Sequence, residues 1–293
     1  MGISQYPSCV SLPYVDKPYP PLLDFLAQRF PRVEKTVWEQ RIREGKVLDE
    51  ASVPITFATP YIPQQKIFYF REVKEEPLIP LQEKIIFQNA ELLVACKPPF
   101  LPVIPSGPYV HECLLYRLRA STGNSDLVPL HRIDRETSGL ILFSKNKATR
   151  GLYGDLFLNG TITKTYEALS KQEHRPKTSD WIVENRLVKA EPWFRMKSAS
   201  GEVNARSRIK LVDYRENRAH FLLSPITGKQ HQLRVHMSGL GLTIMNDRYY
   251  PELLSKLADD LEKPLQLLAK RVQFKDPVSG EEMEFESERK LHF

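Results

Sequence analysis

From residue 85 to residue 223 the chain strings together short segments rich in β-branched and aromatic residues, at 85–87, 92–95, 140–143, 163–169, 207–212 and 219–223. Each has the length and composition of a strand. Helical periodicity interrupts them at irregular intervals, over residues 110–120, 147–158, 231–239 and 251–257. Strands and helices do not alternate one for one, so a doubly wound parallel sheet is disfavoured. The expected fold class is α+β, with a mixed, mostly antiparallel central sheet flanked by helices across residues 76–293.

A smaller unit precedes it. Leu22, Leu23, Phe25 and Leu26, then Val37, Trp38 and Ile42, recur at helical spacing and predict two short helices. Gly45 supplies the left-handed residue that ends the second. Strand-like segments follow at 54–57 and 66–70. Residues 21–75 therefore read as a small αβ module, preceded by an extended segment at 1–20. Glu75, Glu76, Pro77 and Pro80 mark a linker, since prolines and adjacent like charges resist regular structure.

At 293 residues, 41% hydrophobic and 27% charged, the chain can bury a substantial core. Three cysteines, an odd number without CxxC spacing, argue against a disulfide scaffold or a structural zinc site. The longest apolar runs are too short to cross a bilayer, and residues 1–19 lack a signal-peptide layout. The expectation is a cytoplasmic protein with no membrane contact. Its net charge of +6 is uneven: residues 204–236 hold seven Lys or Arg against Asp213 and Glu216. Such a cluster suits a polyanionic partner, or it is a solvated strand face.

Three constellations could carry chemistry. In the first, the charged run from His131 to Gly139 leads straight into the apolar Leu140-Ile141-Leu142-Phe143, which sets a polar loop at a rigid sheet edge. Asp134 lies between Arg132 and Arg135, which favours an ionised carboxylate, either reactive or half of a structural ion pair. The second runs from Ser224 to His236. Thr227-Gly228 reads as a turn opening a helix, with Thr227 as its cap and an anion site at its N-terminus, and Lys229 and His231 nearby. His231 and His236 are five apart without an acidic partner, so no metal site is expected. The third is Tyr166 in a strand, a packing residue or a weak acid–base group. The metalloprotease, α/β-hydrolase, P-loop and dinucleotide-binding motifs are all missing.

His131-Arg132-Ile133-Asp134-Arg135-Glu136-Thr137-Ser138-Gly139-Leu140 resembles the HRLDRxTSGL signature of the RluA-type pseudouridine synthases. Lys164 to Leu169 resembles that family's K-x-Y-x-A-L segment. Residues 225–236 are similar to its P-x-TGR-x-HQLR-x-H segment, with Lys229 in place of an arginine. The stretch 92–103 is similar to its first motif, and 264–285 to its tail. Two departures stand out: Asn246 occupies a glycine position of the I-x-G-D turn, and Cys96 a position that is commonly acidic.

The resemblance implies an isomerase that breaks the uridine N1–C1′ bond, turns the base and rejoins it through C5, in ribosomal or transfer RNA. That reaction needs no cofactor and no metal. It further implies Asp134 as the essential carboxylate, Tyr166 as the residue that stacks on the base and relays the C5 proton, and Arg234 as the partner of the aspartate. Arg132 is implied to hold the uridine out of the stack, Leu233 to line the pocket wall, and His131, Lys229 and His231 to contact the RNA backbone. The module at 21–75 resembles a small αL-type RNA-binding module, although Asp49-Glu50 replaces the usual asparagine-glycine. A monomer is expected. A non-catalytic RNA-binding or assembly protein on the same scaffold is the alternative, and it would be marked by loss of Asp134 or Tyr166.

Overall fold

Apolar side chains at alternate positions of strands and at helical spacing organise separate buried clusters in the computed structural model of the chain. It describes all residues except 1, 5, 32, 74, 255–258 and 293. Two compact units divide it: Met1–Pro77 with Ser106–His111, and Leu78–Pro105 with Glu112–Phe293.

The first unit contains β1 (Gly2–Ile3), β2 (Ser8–Ser11), α1 (Leu22–Arg29), α2 (Lys35–Arg43), β3 (Val47–Leu48), β4 (Lys66–Tyr69) and β5 (Glu72–Val73). Leu22, Phe25, Leu26, Trp38 and Ile42 bury the facing sides of the two helices against Ile67 and Val47. Gly45 follows α2 at φ 67°, the conformation expected of it. Residues 1–20 are not a separate extended segment, because β2 pairs with β4 in a three-stranded sheet, order β2-β4-β3. Residues 54–57 form no strand. Pro54 makes a single bridge to Leu48, consistent with its lack of a backbone N–H.

The second unit contains β6 (Lys84–Gln88), β7 (Leu92–Lys97), α3 (Leu114–Thr122), β8 (Val128–Pro129), β9 (Ser138–Ser144), α4 (Arg150–Leu158), β10 (Thr163–Lys171), β11 (Asp180–Lys189), β12 (Met196–Ala199), β13 (Ala205–Arg215), β14 (Arg218–Pro225), α5 (Gln232–Gly239), β15 (Leu267–Lys275) and β16 (Glu282–Glu286). Its sheet runs β12-β11-β13-β14-β10-β15-β9-β7-β6, with β16 beside β15 and β8 beside β9. The pairing of β15 with β9 is parallel and all others are antiparallel, so the expected α+β class holds.

That parallel seam needs Gly139. Its φ is +114°, and a Cβ there would meet the Ala269 carbonyl oxygen at 2.2 Å. The strand after the charged loop can therefore lie against β15 in mid-sheet, beside β10. On one face, Leu233 and Met237 of α5 pack onto Ile209, Phe221 and Leu223.

The helices start later than expected. Asn146 accepts the Ala148 N–H in a local turn, so α4 begins at Arg150. Residues 110 and 111 belong to the first unit, and α3 begins at Leu114. Residues 251–254 are not helical, and the remainder of the helix expected there lies outside the described residues.

Candidate active site

The loop between β8 and β9 is clamped before Asp134 enters any chemistry. His131 stacks on Phe157 with ring centroids 4.8 Å apart, and its Nε2 accepts the backbone N–H of Leu142 at 3.1 Å. Its nitrogen thus serves β9, not the RNA backbone contact expected of it. Lys97, fully buried at the end of β7, donates through Nζ to the carbonyls of Pro98, Leu101 and Arg135, at 2.8, 2.7 and 2.9 Å. Burial pushes its pKa down to about 7, against the pull of the Glu136 carboxylate. The Thr137 N–H donates back to the Asp134 carbonyl at 3.2 Å and closes a turn that presents the Asp134 side chain half-buried.

The cation facing Asp134 is neither of its sequence neighbours. Arg135 turns to a bidentate contact with Asp259 and to Glu136. Arg132 is exposed and forms no ion pair among the described residues. Arg234, 1% exposed, donates from Nη1 to Asp134 Oδ2 at 3.2 Å. Its Nε and Nη2 fork onto Asp247 at 2.8 and 2.6 Å, and Glu136 lies 3.7 Å from Nη1. Burial alone would depress this guanidinium. The Asp247 fork, with Asp134 and Glu136 behind it, outweighs burial and raises its pKa. Tyr249 covers it with the ring centroid 4.7 Å from Cζ.

His231 reaches the same carboxylate from the start of α5. Its Nε2 lies 3.8 Å from Asp134 Oδ1. The Tyr250 hydroxyl, 2.9 Å from its Nδ1, already accepts the Met196 N–H at 2.8 Å. If the hydroxyl hydrogen goes to Nδ1, the neutral ring carries its own hydrogen on Nε2, the side that faces Asp134. Burial lowers the His231 pKa, so the ring is neutral near pH 7. Tyr166, set by a break in register between Thr165 and Tyr166, packs against the cluster that holds Leu233. Burial first, and then the charge of Asp134, raises its phenol pKa.

The structure thus gathers Asp134, Tyr166, Arg234, Leu233 and His231. Lys229 is exposed on the adjoining loop. The anion site expected at Thr227-Gly228 does not form there, because α5 begins at Gln232, behind a left-handed His231 at φ 51°. Thr227 is no cap: its hydroxyl accepts the Arg206 N–H and donates to Gln232 Oε1. Arg206 and Arg208, counted in the basic cluster, pair across the strands with Glu184 and Asp180.

Sequence reasoning assigned no role to Asp247, Glu136, Lys97, Tyr249 or Tyr250. The I-x-G-D resemblance was the signal for Asp247. Asn246 keeps that turn by taking a left-handed φ of 62° and donating to the Pro264 carbonyl.

Two histidines of the second unit, His131 and His236, set an acid limit on stability. Burial pushes His131 from 6.5 to about 3, with Lys164 adding, and His236 from 6.5 to about 4. The unfolded chain takes up these protons near the ordinary value, whereas the folded chain refuses them until far lower pH. Stability therefore falls as pH drops from 6.5 toward these folded values. His131→Gln, whose amide oxygen can accept the Leu142 N–H without titrating, should lose less stability between about pH 7 and 5. Urea midpoints at both pH values check this, and parallel losses in the two proteins would remove His131 from the account.

Residues 91–239 match the sequence profile described as RNA pseudouridylate synthase. An uncharacterised RNA pseudouridine synthase of Synechocystis sp. is 27% identical, over 78% of this chain and 79% of the relative. The dual-specificity RNA pseudouridine synthase RluA of Haemophilus influenzae is 30% identical, over 71% of this chain and 94% of its own. Among solved structures, human RNA pseudouridylate synthase domain containing 4 superposes with a TM-score of 0.54 at 26% identity, covering 71% of this chain and 88% of that one. The profile spans half of the chain and includes the Asp134 loop, Tyr166 and Arg234, and the chain belongs to the RNA pseudouridylate synthase family.

Proposed function

We propose that this protein converts uridines in structured RNA to pseudouridine, with Asp134 as the essential carboxylate. The observation that carries this is the ion pair between Asp134 and the buried Arg234, itself locked on Asp247, beside Tyr166. The carboxylate either attacks C1′ or removes the C2′ proton, and both routes release the base with its bonding electrons on N1. The base then turns and C5 bonds to C1′, as the C1′–Asp134 oxygen bond breaks on the first route or Asp134 returns the proton to C2′ on the second. The proton lost from C5 matches the one gained at N1, so no donor or oxidant is consumed.

The raised pKa of Tyr166 means a neutral phenol meets the base. It stacks on the ring and relays the C5 proton through its hydroxyl, taking one proton as it passes on another. Leu233 supplies apolar wall, and exposed Arg132 fills the place of the extruded uridine. The motif resemblance makes both ribosomal and transfer RNA candidates, and a yeast relative, 31% identical over 60% of this chain, is described as a tRNA pseudouridine(32) synthase. We read the N-terminal unit as an RNA-binding module, supported by exposed Arg29 at the end of its first helix; Lys35 and Arg43 are exposed as well but pair with Asp24 and Glu39. We read the protein as a cytoplasmic monomer; an odd number of cysteines without CxxC spacing suits a reducing setting.

Mapping pseudouridine in ribosomal and transfer RNA from cells with and without this protein tests the proposal. Sites that vanish with the protein and return on adding it to purified RNA are expected; identical maps would overturn it. Tyr166→Phe keeps the ring and removes the relay, so RNA affinity should hold while single-turnover conversion slows by roughly 10²-fold or more. Wild-type rates in that variant would leave Tyr166 a packing residue.

A further inference from the structure

The hairpin of β11 and β12 carries at its tip a tryptophan, Trp193, that is 53% exposed. The tip itself is held firmly. The Gln230 side chain donates to the Phe194 carbonyl at 3.2 Å, Arg195 donates to the Pro251 carbonyl at 2.8 Å, and the Met196 N–H donates to the Tyr250 hydroxyl. About half of the Trp193 surface on this anchored tip is open to solvent, more than large aromatic side chains ordinarily leave exposed.

Rings lead from it to the reacting carboxylate. Trp193 and Phe194 have centroids 5.9 Å apart, Phe194 and Tyr249 5.3 Å, and Tyr249 and His231 5.7 Å. His231 lies 3.8 Å from Asp134. Lys189, opposite Met196 in the hairpin, and Lys229, next to Gln230, are exposed and form no ion pair among the described residues. Aromatic faces beside uncompensated cations fit single-stranded nucleic acid, whose bases stack while its phosphates meet the lysines.

We propose that Trp193 is a stacking platform for a nucleobase flanking the target uridine, with Lys189 and Lys229 meeting the adjacent phosphates. This rests on the RNA reading above and adds a subsite to it. Stacking on such a ring is worth roughly 5- to 150-fold in affinity per base. It tolerates any base, because each has a π-face, so it sets which nucleotides are splayed out and not their identity.

The probe is a fluorescent RNA stem-loop with an all-uridine loop, alongside a twin whose loop carries abasic positions around one central uridine. Trp193→Ala should bind the all-uridine loop about tenfold more weakly than wild type, and Trp193→Phe should recover most of that loss. The abasic twin should bind wild type and Trp193→Ala alike. Lys189→Ala and Lys229→Ala should weaken both RNAs and each reduce the log–log salt slope by roughly 0.7–1. Unchanged affinity in Trp193→Ala, or an equal loss on both RNAs, overturns the stacking platform. The pseudouridine maps report separately on the enzyme: identical maps with and without the protein remove the synthase and leave the stem-loop result standing, and the reverse combination removes only the platform.

Discussion

Asp134→Asn is expected to give a folded protein that binds RNA and makes no pseudouridine. The amide keeps the size and an acceptor oxygen for Arg234 Nη1 at the position now 3.2 Å away. Arg234 retains its fork on Asp247 and the nearby Glu136, so its charge stays compensated and the fold loses little. What disappears is the negative oxygen that both attack at C1′ and proton removal at C2′ require. The expected loss of conversion is on the order of 10⁴–10⁶-fold, the scale seen when a reacting side chain is deleted. Single-turnover assays with RNA in excess of Kd measure it. Turnover within about tenfold of wild type would take Asp134 out of the chemistry.

Arg234→Ala is expected to damage both the fold and the reaction. The guanidinium is buried, and removing it strands the Asp247 carboxylate, which is itself 1% exposed at its side chain. Breaking a buried pair from one side costs about 3–5 kcal/mol. Asp247 also accepts the Tyr249 and Tyr250 N–H groups, which places the loss toward the lower figure. For a unit of this size that corresponds to a melting point lower by about 10 °C. Adding Asp247→Asn to Arg234→Ala removes the stranded charge and should return part of the stability. Conversion should stay lost in the double variant, because Asp134 still lacks its partner. Equal stability of wild type and Arg234→Ala, or recovery of activity in the double variant, would contradict this division between Asp134 and Asp247.

Much of the site was legible because its chemistry is local in sequence. Asp134 stands in a charged run abutting an apolar strand and Tyr166 in a strand, each readable as structural or reactive, and it was the resemblance of short segments to known motifs that singled out both and added Arg234. The strands at β7, β9, β10, β13 and β14 follow from the β-branched and aromatic composition of those segments. The two N-terminal helices follow from the spacing of Leu22, Phe25, Trp38 and Ile42.

Charges were another matter. Arg132 and Arg135 flank Asp134 in sequence, yet Arg135 reaches Asp259 and the pairing goes to Arg234, one hundred positions later, a partner that only the motif resemblance had implied. The basic appearance of residues 204–236 was partly cancelled once register set Arg206 beside Glu184 and Arg208 within reach of Asp180. His231, expected at the RNA backbone, became a buried link between Tyr250 and Asp134, and His131 a clamp on β9. Short-range pattern, set by side-chain period and backbone preference, is written along the chain and determined the elements, while motif resemblance singled out Asp134, Tyr166 and Arg234. Which charge meets which, and which ring is buried, depends on strand register and on the approach of segments far apart in sequence, and only the tertiary structure decided those.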